Sequence, residues 1–190
     1  MAPARYLGQM PHDKAELRRW ASGLPPATAE ESNSIVAIAS EVLARNEWTT
    51  VLTFLAMPGE VDLDDLHRRS GYRFVVTRTP AAGGLTIHDL DGPTEAHPFG
   101  YRQPVDGAPT VSSSLVEAVL VPGVLFDRQG GRLGRGKGYY DRLLGAMRPR
   151  PYLIGVTLER RVVPEVPMLP DDVRMDAVIT EQGFSEVASF

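Results

Sequence analysis

Ala118 to Leu125 is an apolar run, Tyr139 to Leu144 reads as the first turns of a helix, and the segment between them constrains this chain more than any other. From Gly131 to Gly138 four glycines alternate with three basic residues: Gly131, Arg132, Gly134, Arg135, Gly136, Lys137 and Gly138. A buried strand, a basic glycine-rich loop and a helix in that order describe a phosphate cradle. Glycine lets backbone N–H groups close on a ligand, and Arg and Lys supply the charge that polyphosphates need. The same composition also suits a solvated Gly-rich hairpin, although the charge density and the adjoining Tyr139-Tyr140-Asp141 weigh against it. Gly131, Gly136 and Lys137 satisfy G-x-x-x-x-G-K, but Gly138 stands where a Walker A loop has Ser or Thr for magnesium. A metal bound here needs another ligand, and Asp141 lies one helical turn further on. The spacing Gly134-x-Gly136-x-Gly138 is not that of a dinucleotide fingerprint.

Strand-like and helix-like segments alternate along the chain. His12 to Ala21 reads as a short helix, and a second runs from Thr28 or Ala29 to about Asn46, with Ile35, Ile38, Val42 and Leu43 at helical spacing. Thr50 to Met57 is a strand ended by Pro58-Gly59, Val61 to Ser70 a helix, and Tyr72 to Thr79 the next strand. Pro80 to Pro109 is rich in Gly and Pro, with one short strand at Leu85 to His88 and extended loops elsewhere. Further strands are read at Glu117 to Val121, Tyr152 to Leu158 and Ala177 to Thr180. The expectation is an α/β fold, a three-layer arrangement with a mostly parallel sheet and helices on both faces, with residues 1–190 as a single domain. Ligands of such sheets gather at the C-terminal ends of strands, so Glu60 and the Gly-rich loop are expected to face one cleft.

With 190 residues, 43% of them hydrophobic, the chain suffices for one sizeable core. Its net charge of −4 leaves no overall footprint for nucleic acid, and the local basic loop suits a small anion instead. The absence of cysteine excludes a disulfide framework, a thiolate zinc site and a cysteine nucleophile, and fits a cytoplasmic location. Met1 to Met10 lacks the apolar core of a secretion signal, and the longest apolar run, Val119 to Phe126, is interrupted by Pro122 and Gly123. No membrane, nucleic-acid or obligatory protein partner is expected.

Three smaller features join the loop. Lys14 and Arg18 stand on adjacent turns of one helix, placed either to grip a polyphosphate together or to form a solvated face. Glu60 follows an early strand, where it either meets a ligand or stabilises a helix N-terminus. Asp171 and Asp172 precede the last strand, either as hard ligands for a cation or as loop caps.

Arg132-Leu-Gly-Arg-Gly-Lys-Gly-Tyr-Tyr-Asp141, preceded by Pro122-Gly-x-x-Phe-Asp127, resembles the signature of the 5-formyltetrahydrofolate cyclo-ligase (methenyltetrahydrofolate synthetase) family. The resemblance extends from about Lys14 to Glu181 and keeps its motifs in order. It implies an enzyme that uses ATP and Mg²⁺ to convert 5-formyltetrahydrofolate to 5,10-methenyltetrahydrofolate, releasing ADP and phosphate. ATP is implied to contact Lys14, Arg18, Arg132, Leu133, Gly134, Arg135, Gly136, Lys137, Gly138, Tyr139 and Tyr140, with Arg135 and Lys137 as the catalytic cations. The folate is implied to meet Leu55, Glu60, Arg135, Gly136, Lys137, Gly138 and Tyr139. Asp141 and Asp172 are the implied metal ligands, with Asp171 competing for the second place. Many members carry Glu-Pro where this chain has Gln103-Pro104, and Phe99 or Tyr101 takes the place of an aromatic residue lining the folate pocket. Two other readings of the same residues are a non-catalytic nucleotide- or RNA-binding module and an ATP-dependent relative acting on a different substrate.

Overall fold

The structure, a computed structural model, describes residues 13–80 and 83–188. In chain order it contains α1 (Lys14–Ser22), α2 (Ala29–Ala44), β1 (Thr50–Thr53), α3 (Asp64–His67), β2 (Arg73–Arg78) and β3 (Thr86–Asp89). These are followed by β4 (Thr94–Ala96), β5 (Arg102–Pro104), β6 (Ala118–Pro122), β7 (Leu125–Asp127), β8 (Arg132–Leu133) and α4 (Tyr139–Ala146). The remainder is β9 (Tyr152–Val156), β10 (Val162–Val163), β11 (Ala177–Thr180) and β12 (Gly183–Glu186).

Seven strands form the main sheet in the order β12-β11-β9-β6-β1-β2-β3. The five inner strands are mutually parallel, and β12 and β3 run antiparallel at the edges. Successive residues of each inner strand point to opposite faces, and the core divides accordingly. Val51, Leu120, Ile154 and Ile179 pack under α2 and α3, with Ile35, Ala39 and Leu43 from α2 and Leu66 from α3. Leu52, Val119, Leu153 and Val178 pack on the other face against Leu144 of α4 and Met147 just after it. Helices therefore cover both faces, as the alternation of elements predicts.

The chain walks outward from β1 to β2, then returns to place β6 on the other side of β1 and continues to β9 and β11. The crevice beyond the ends of β1 and β6 is thus the topological switch point, the position where open parallel sheets bind ligands.

Helix ends follow their caps. Asp13 Oδ1 accepts from Ala15 and Glu16 N–H at 2.7 and 3.0 Å and starts α1 at Lys14, two residues later than the periodicity indicated. His12, where the sequence placed that start, lies outside the described residues. Thr28 and Glu31 form a capping box, with the Glu31 N–H to Thr28 Oγ1 at 3.2 Å and the Thr28 N–H to Glu31 Oε2 at 2.9 Å.

Several expectations are corrected. The helix expected from Val61 to Ser70 is only Asp64–His67, because Asp62 Oδ1 accepts the Asp64 N–H at 2.9 Å in a local turn and Gly71 takes φ 95° just beyond. The run Ala118 to Leu125 is two strands, split at Pro122-Gly123, and β7 leaves the main sheet to join β10 and β8 in a small three-stranded one. The strand Thr50 to Met57 stops at Thr53. Within Pro80 to Pro109 the structure adds a hairpin of β4 and β5, anchored where Arg78 Nη1 bonds Glu95 Oε1 at 2.5 Å.

Arg160, just beyond β9, reaches α2 across the cleft mouth, donating to Glu31 and to the Pro26 carbonyl at 2.6 Å. The Arg160 guanidinium holds the Glu31 carboxyl down at about 2, against an ordinary 4.5. Folding lowers this pKa, so the stabilisation is complete above pH 4.5 and is lost as pH falls toward 2. Glu31→Gln is expected to lower stability at neutral pH by about 1–2 kcal/mol, once solvent screening is allowed for. Urea midpoints measured between about pH 7 and about pH 3 should converge with those of the wild type as pH falls; a pH-independent gap would contradict the pairing.

Candidate active site

The Gly-rich loop is built on Asp127. Its buried carboxylate accepts from the Gln129 N–H at 2.9 Å, the Gly131 N–H at 2.7 Å and the Val166 N–H at 2.7 Å. A Cβ on Gly131 would lie 2.3 Å from Asp127 Oδ2, so the chain turns here only with glycine. The turn leads into β8, where Leu133, expected at the ATP site, is fully buried and its carbonyl accepts the Val124 N–H at 2.7 Å.

Past β8 the loop lies under α1. Arg18 Nε donates to the Gly134 carbonyl at 2.8 Å, and its guanidinium carbon lies 3.4 Å from where a Gly136 Cβ would be. Gly136, at φ 94°, adopts a conformation that side chains avoid, bringing the backbone against the cation. Gly138 precedes α4 without a side-chain cap, so the first-turn N–H groups of that helix remain for an anion. Leu17 and Ala21 fix the helix by packing on Leu125, Leu133 and Val163. The Lys14–Arg18 face is accordingly turned to the loop.

Charges meet in three pairs. Arg132 is buried and donates from Nη2 to Asp141 Oδ1 at 2.8 Å. Lys14 pairs with Asp172 Oδ2, which also accepts the Leu169 N–H at 2.6 Å. Partial burial pushes the Asp172 carboxyl up, but the Leu169 N–H and the Lys14 ammonium outweigh it and hold the group below its usual range. The Val173 N–H, directly after Asp172, approaches Asp141 Oδ1 at 3.4 Å, so the two predicted metal ligands come to one place. Asp171 is exposed and makes no side-chain hydrogen bond among the described residues. The third pair, Arg135 Nη2 to Glu60 Oε1 at 2.6 Å, bridges the loop to the segment after β1, and Glu60 Oε2 accepts the Met57 N–H at 3.0 Å.

Beneath this bridge lies a cleft of about 500 Å³ at the switch point. Residues from the ends of β1 (Phe54, Glu60), β6 (Pro122, Gly123) and β9 (Thr157) line it with Arg18. Leu55 is partly buried and does not line the cleft; its neighbour Phe54 does. The tyrosine pair divides its work. Tyr140 packs into the core beside Leu52 and Phe126, and burial pushes its hydroxyl up to about 12. Tyr139 stays partly exposed, with the Arg142 guanidinium 5.3 Å from its ring. Lys137 is exposed and makes no hydrogen bond or ion pair among the described residues. His97 stacks on Tyr101 at 4.3 Å and Phe99 is exposed, while Gly100 rests on Pro58 at the cleft rim.

The family model described as the 5-formyltetrahydrofolate cyclo-ligase family matches residues 14–181. The chain belongs to this family. A 5-formyltetrahydrofolate cyclo-ligase of Mus musculus is 24% identical over 189 residues, covering 90% of this chain and 92% of the relative. One of Mycolicibacterium smegmatis is 35% identical over 130 residues, covering 65% of this chain and 67% of the relative. The solved 5,10-methenyltetrahydrofolate synthetase of Aquifex aeolicus superposes with a TM-score of 0.78 at 26% identity, covering 93% of this chain and 94% of that one.

Sequence reasoning quoted Asp127 in the signature without a role, and did not single out Phe54, Thr157 or Arg161. An Asp four residues before a glycine, with Gly-Gly at the turn, was a usable signal for Asp127; the other three carry no local spacing signature. Asp127→Ala would leave three N–H donors without their acceptor, at a cost of roughly 3 kcal/mol or more. Thermal unfolding should shift down by roughly 10 °C, with Asp127→Asn intermediate; a shift under about 2 °C would show that the loop does not depend on this carboxylate.

Proposed function

We propose that this protein catalyses the ATP- and Mg²⁺-dependent conversion of 5-formyltetrahydrofolate to 5,10-methenyltetrahydrofolate, with release of ADP and phosphate, in the cytoplasm. The observation that carries the proposal is the Arg135–Glu60 bridge, which joins the phosphate-type loop to the carboxylate suited to the pterin. Direct transfer from one substrate to the other needs both held against one another, and a residue shared by the two half-sites supports that arrangement.

The formamide oxygen on N5 is a poor leaving group. Its attack on the γ-phosphorus of ATP forms an O–P bond, breaks the bridging bond to the β-phosphate and releases ADP. N10 then adds to the formyl carbon and gives up its proton. The C–O bond breaks, phosphate departs, and the N5–CH–N10 bridge remains. Such transfers depend on positioning and charge neutralisation more than on a side-chain nucleophile. Arg18, Arg135 and Lys137 supply charge along the loop, and the first-turn N–H groups of α4 bind phosphate oxygens. Glu60 is aimed at the donor-rich edge of the pterin, whose N–H groups match both its oxygens. Arg132, buried beneath the loop, holds Asp141 in place.

Asp141 and Asp172 fit Mg²⁺. Two carboxylates without a third acidic or histidine neighbour among the described residues suit a hard cation that takes its remaining oxygens from a nucleotide. The ion, when bound, would neutralise phosphate charge. Lys14 then has to exchange its Asp172 partner for the nucleotide, which supports its place in the ATP site.

The decisive assay follows methenyl-folate absorbance in the near ultraviolet with purified protein. Signal is expected only when 5-formyltetrahydrofolate, ATP and Mg²⁺ are all present; ATP binding without signal would refute the folate assignment. Asp141→Asn, which keeps an acceptor for Arg132, is expected to lower kcat by about 100-fold or more with the melting temperature little changed. Glu60→Gln is expected to raise KM for the folate roughly tenfold and leave KM for ATP near wild type. An unchanged folate KM would remove Glu60 from the site.

A further inference from the structure

Three arginines line the cleft: Arg18, Arg135 and Arg161. Arg18 is engaged by the Gly134 carbonyl and Arg135 by Glu60. Arg161 has no carboxylate partner among the described residues. It makes only two long contacts, both 3.4 Å from Nη1, to the Ala21 and Val124 carbonyls. Its Nε and Nη2 make no hydrogen bond there. Burial, then the neighbouring Arg160 and Arg135, pushes the Arg161 guanidinium below its ordinary value, while Glu60 opposes this. A half-buried guanidinium beside other cations is an unfavourable resting state that an oxygen acceptor relieves.

The position is also held firmly. Arg161 ends a 3-10 turn, Glu159–Arg161, whose other two residues are tied down. Glu159 accepts from Thr180 Oγ1 at 2.9 Å and Arg128 Nη2 at 2.6 Å, and Arg160 is clamped to Pro26 and Glu31. Four residues earlier Thr157, also lining the cleft, is 3% exposed, and its hydroxyl has no hydrogen-bond partner among the described residues. Native proteins rarely leave such a group unsatisfied. The rest of the wall here is apolar, formed by Phe54, Val61, Val156 and Leu158, which suits a flat ring and not a triphosphate.

We infer that Arg161, assisted by Thr157, is a specificity-determining residue that receives the 4-oxo oxygen of the pterin, while Glu60 takes the adjoining N–H edge. A 2-amino-4-oxo pterin presents an amino donor, a ring N–H donor and a carbonyl acceptor in sequence along one side. A carboxylate satisfies the two donors, and the acceptor needs a donor beside that carboxylate. A guanidinium with two unused nitrogens supplies it. The assignment rests on the folate reading proposed above and extends it to the feature by which the cleft distinguishes one heterocycle from another.

Steady-state kinetics of the full chain test this, with the 4-amino-4-deoxy analogue of 5-formyltetrahydrofolate as a competing ligand. Arg161→Ala is expected to raise KM for 5-formyltetrahydrofolate about 10- to 100-fold and to leave KM for ATP within about twofold. Wild type should prefer the 4-oxo compound over the 4-amino one, and the variant should show a markedly smaller preference, the remainder coming from Glu60, whose ring N–H partner the 4-amino compound also lacks; a merely structural role would not produce this change. Arg161→Lys should restore only part of the folate affinity, and Thr157→Val should weaken it several-fold; thermal unfolding confirms that each variant folds. An unchanged folate KM, an intact 4-oxo preference, or a rise confined to KM for ATP overturns the inference while leaving the function standing. Failure of the wild type to bind or turn over the folate overturns both.

Discussion

The switch between β1 and β6 is the constraint from which the site follows. Parallel strands joined by crossovers all end on one side of the sheet, and a reversal in the direction of the walk leaves two neighbouring ends with their connections diverging. Here the chain leaves β1 toward Glu60 on one side and leaves β6 toward β7 and the Gly-rich loop on the other. A crevice is therefore a property of strand order before any side chain is specified. Asp127 then decides what fills it. By accepting three backbone N–H groups from one turn and from Val166, it directs the loop back beneath α1.

Electrostatics in the crevice are balanced by exchangeable partners. Lys14 pairs with Asp172, Arg132 with Asp141 and Arg135 with Glu60. Partly buried charges of these kinds are costly without counterions, and these six groups are matched in the absence of ligand, whereas Lys137 and Arg161 have no ion-pair partner among the described residues. Binding in this scheme trades one charge-assisted contact for another, which limits net affinity and favours reversible occupancy. The pairs differ in how readily they open. Arg135 is more than half exposed and swings at little cost, whereas Arg132 is nearly inaccessible and stays with Asp141. That contrast separates a mobile cation facing the reaction from a fixed one that shapes a carboxylate.

What could be read from the sequence was what is encoded locally. The apolar stripe of α2 lies within one segment, and its start is written in Thr28 and Glu31 three residues apart. The loop declared itself because glycines and cations are contiguous, and strand-helix alternation was enough for a three-layer sheet. Features that depend on distant partners were missed. The three-residue strands β4 and β5 are too short to show a period, and β5 ends in a proline. Val61 and Leu63 were read into a helix but are buried in an irregular approach to a single helical turn. Leu55 was preferred to Phe54 on resemblance, and the two alternate in direction at the end of β1, so a one-residue difference changes which of them reaches the cleft.

Thr157 and Arg161 show the same limit in its sharpest form. In sequence, Arg160-Arg161 is an ordinary basic pair after an apolar strand, and nothing local separates the two. Their environments separate them completely. Arg160 finds Glu31 and two carbonyls of the Pro25-Pro26 segment, so its charge is consumed in closing the mouth of the cleft. Arg161, one residue on, turns toward the cleft, where no carboxylate among the described residues pairs with it and Glu60 acts on it only from a distance. A half-buried cation without a paired counterion is unfavourable in isolation, and folding tolerates it here because Glu159 and Arg160, the two residues before it, are strongly anchored. The anchoring energy of the neighbours sustains one unsatisfied guanidinium, and an unsatisfied group held rigidly in a cleft is what preorganised recognition requires.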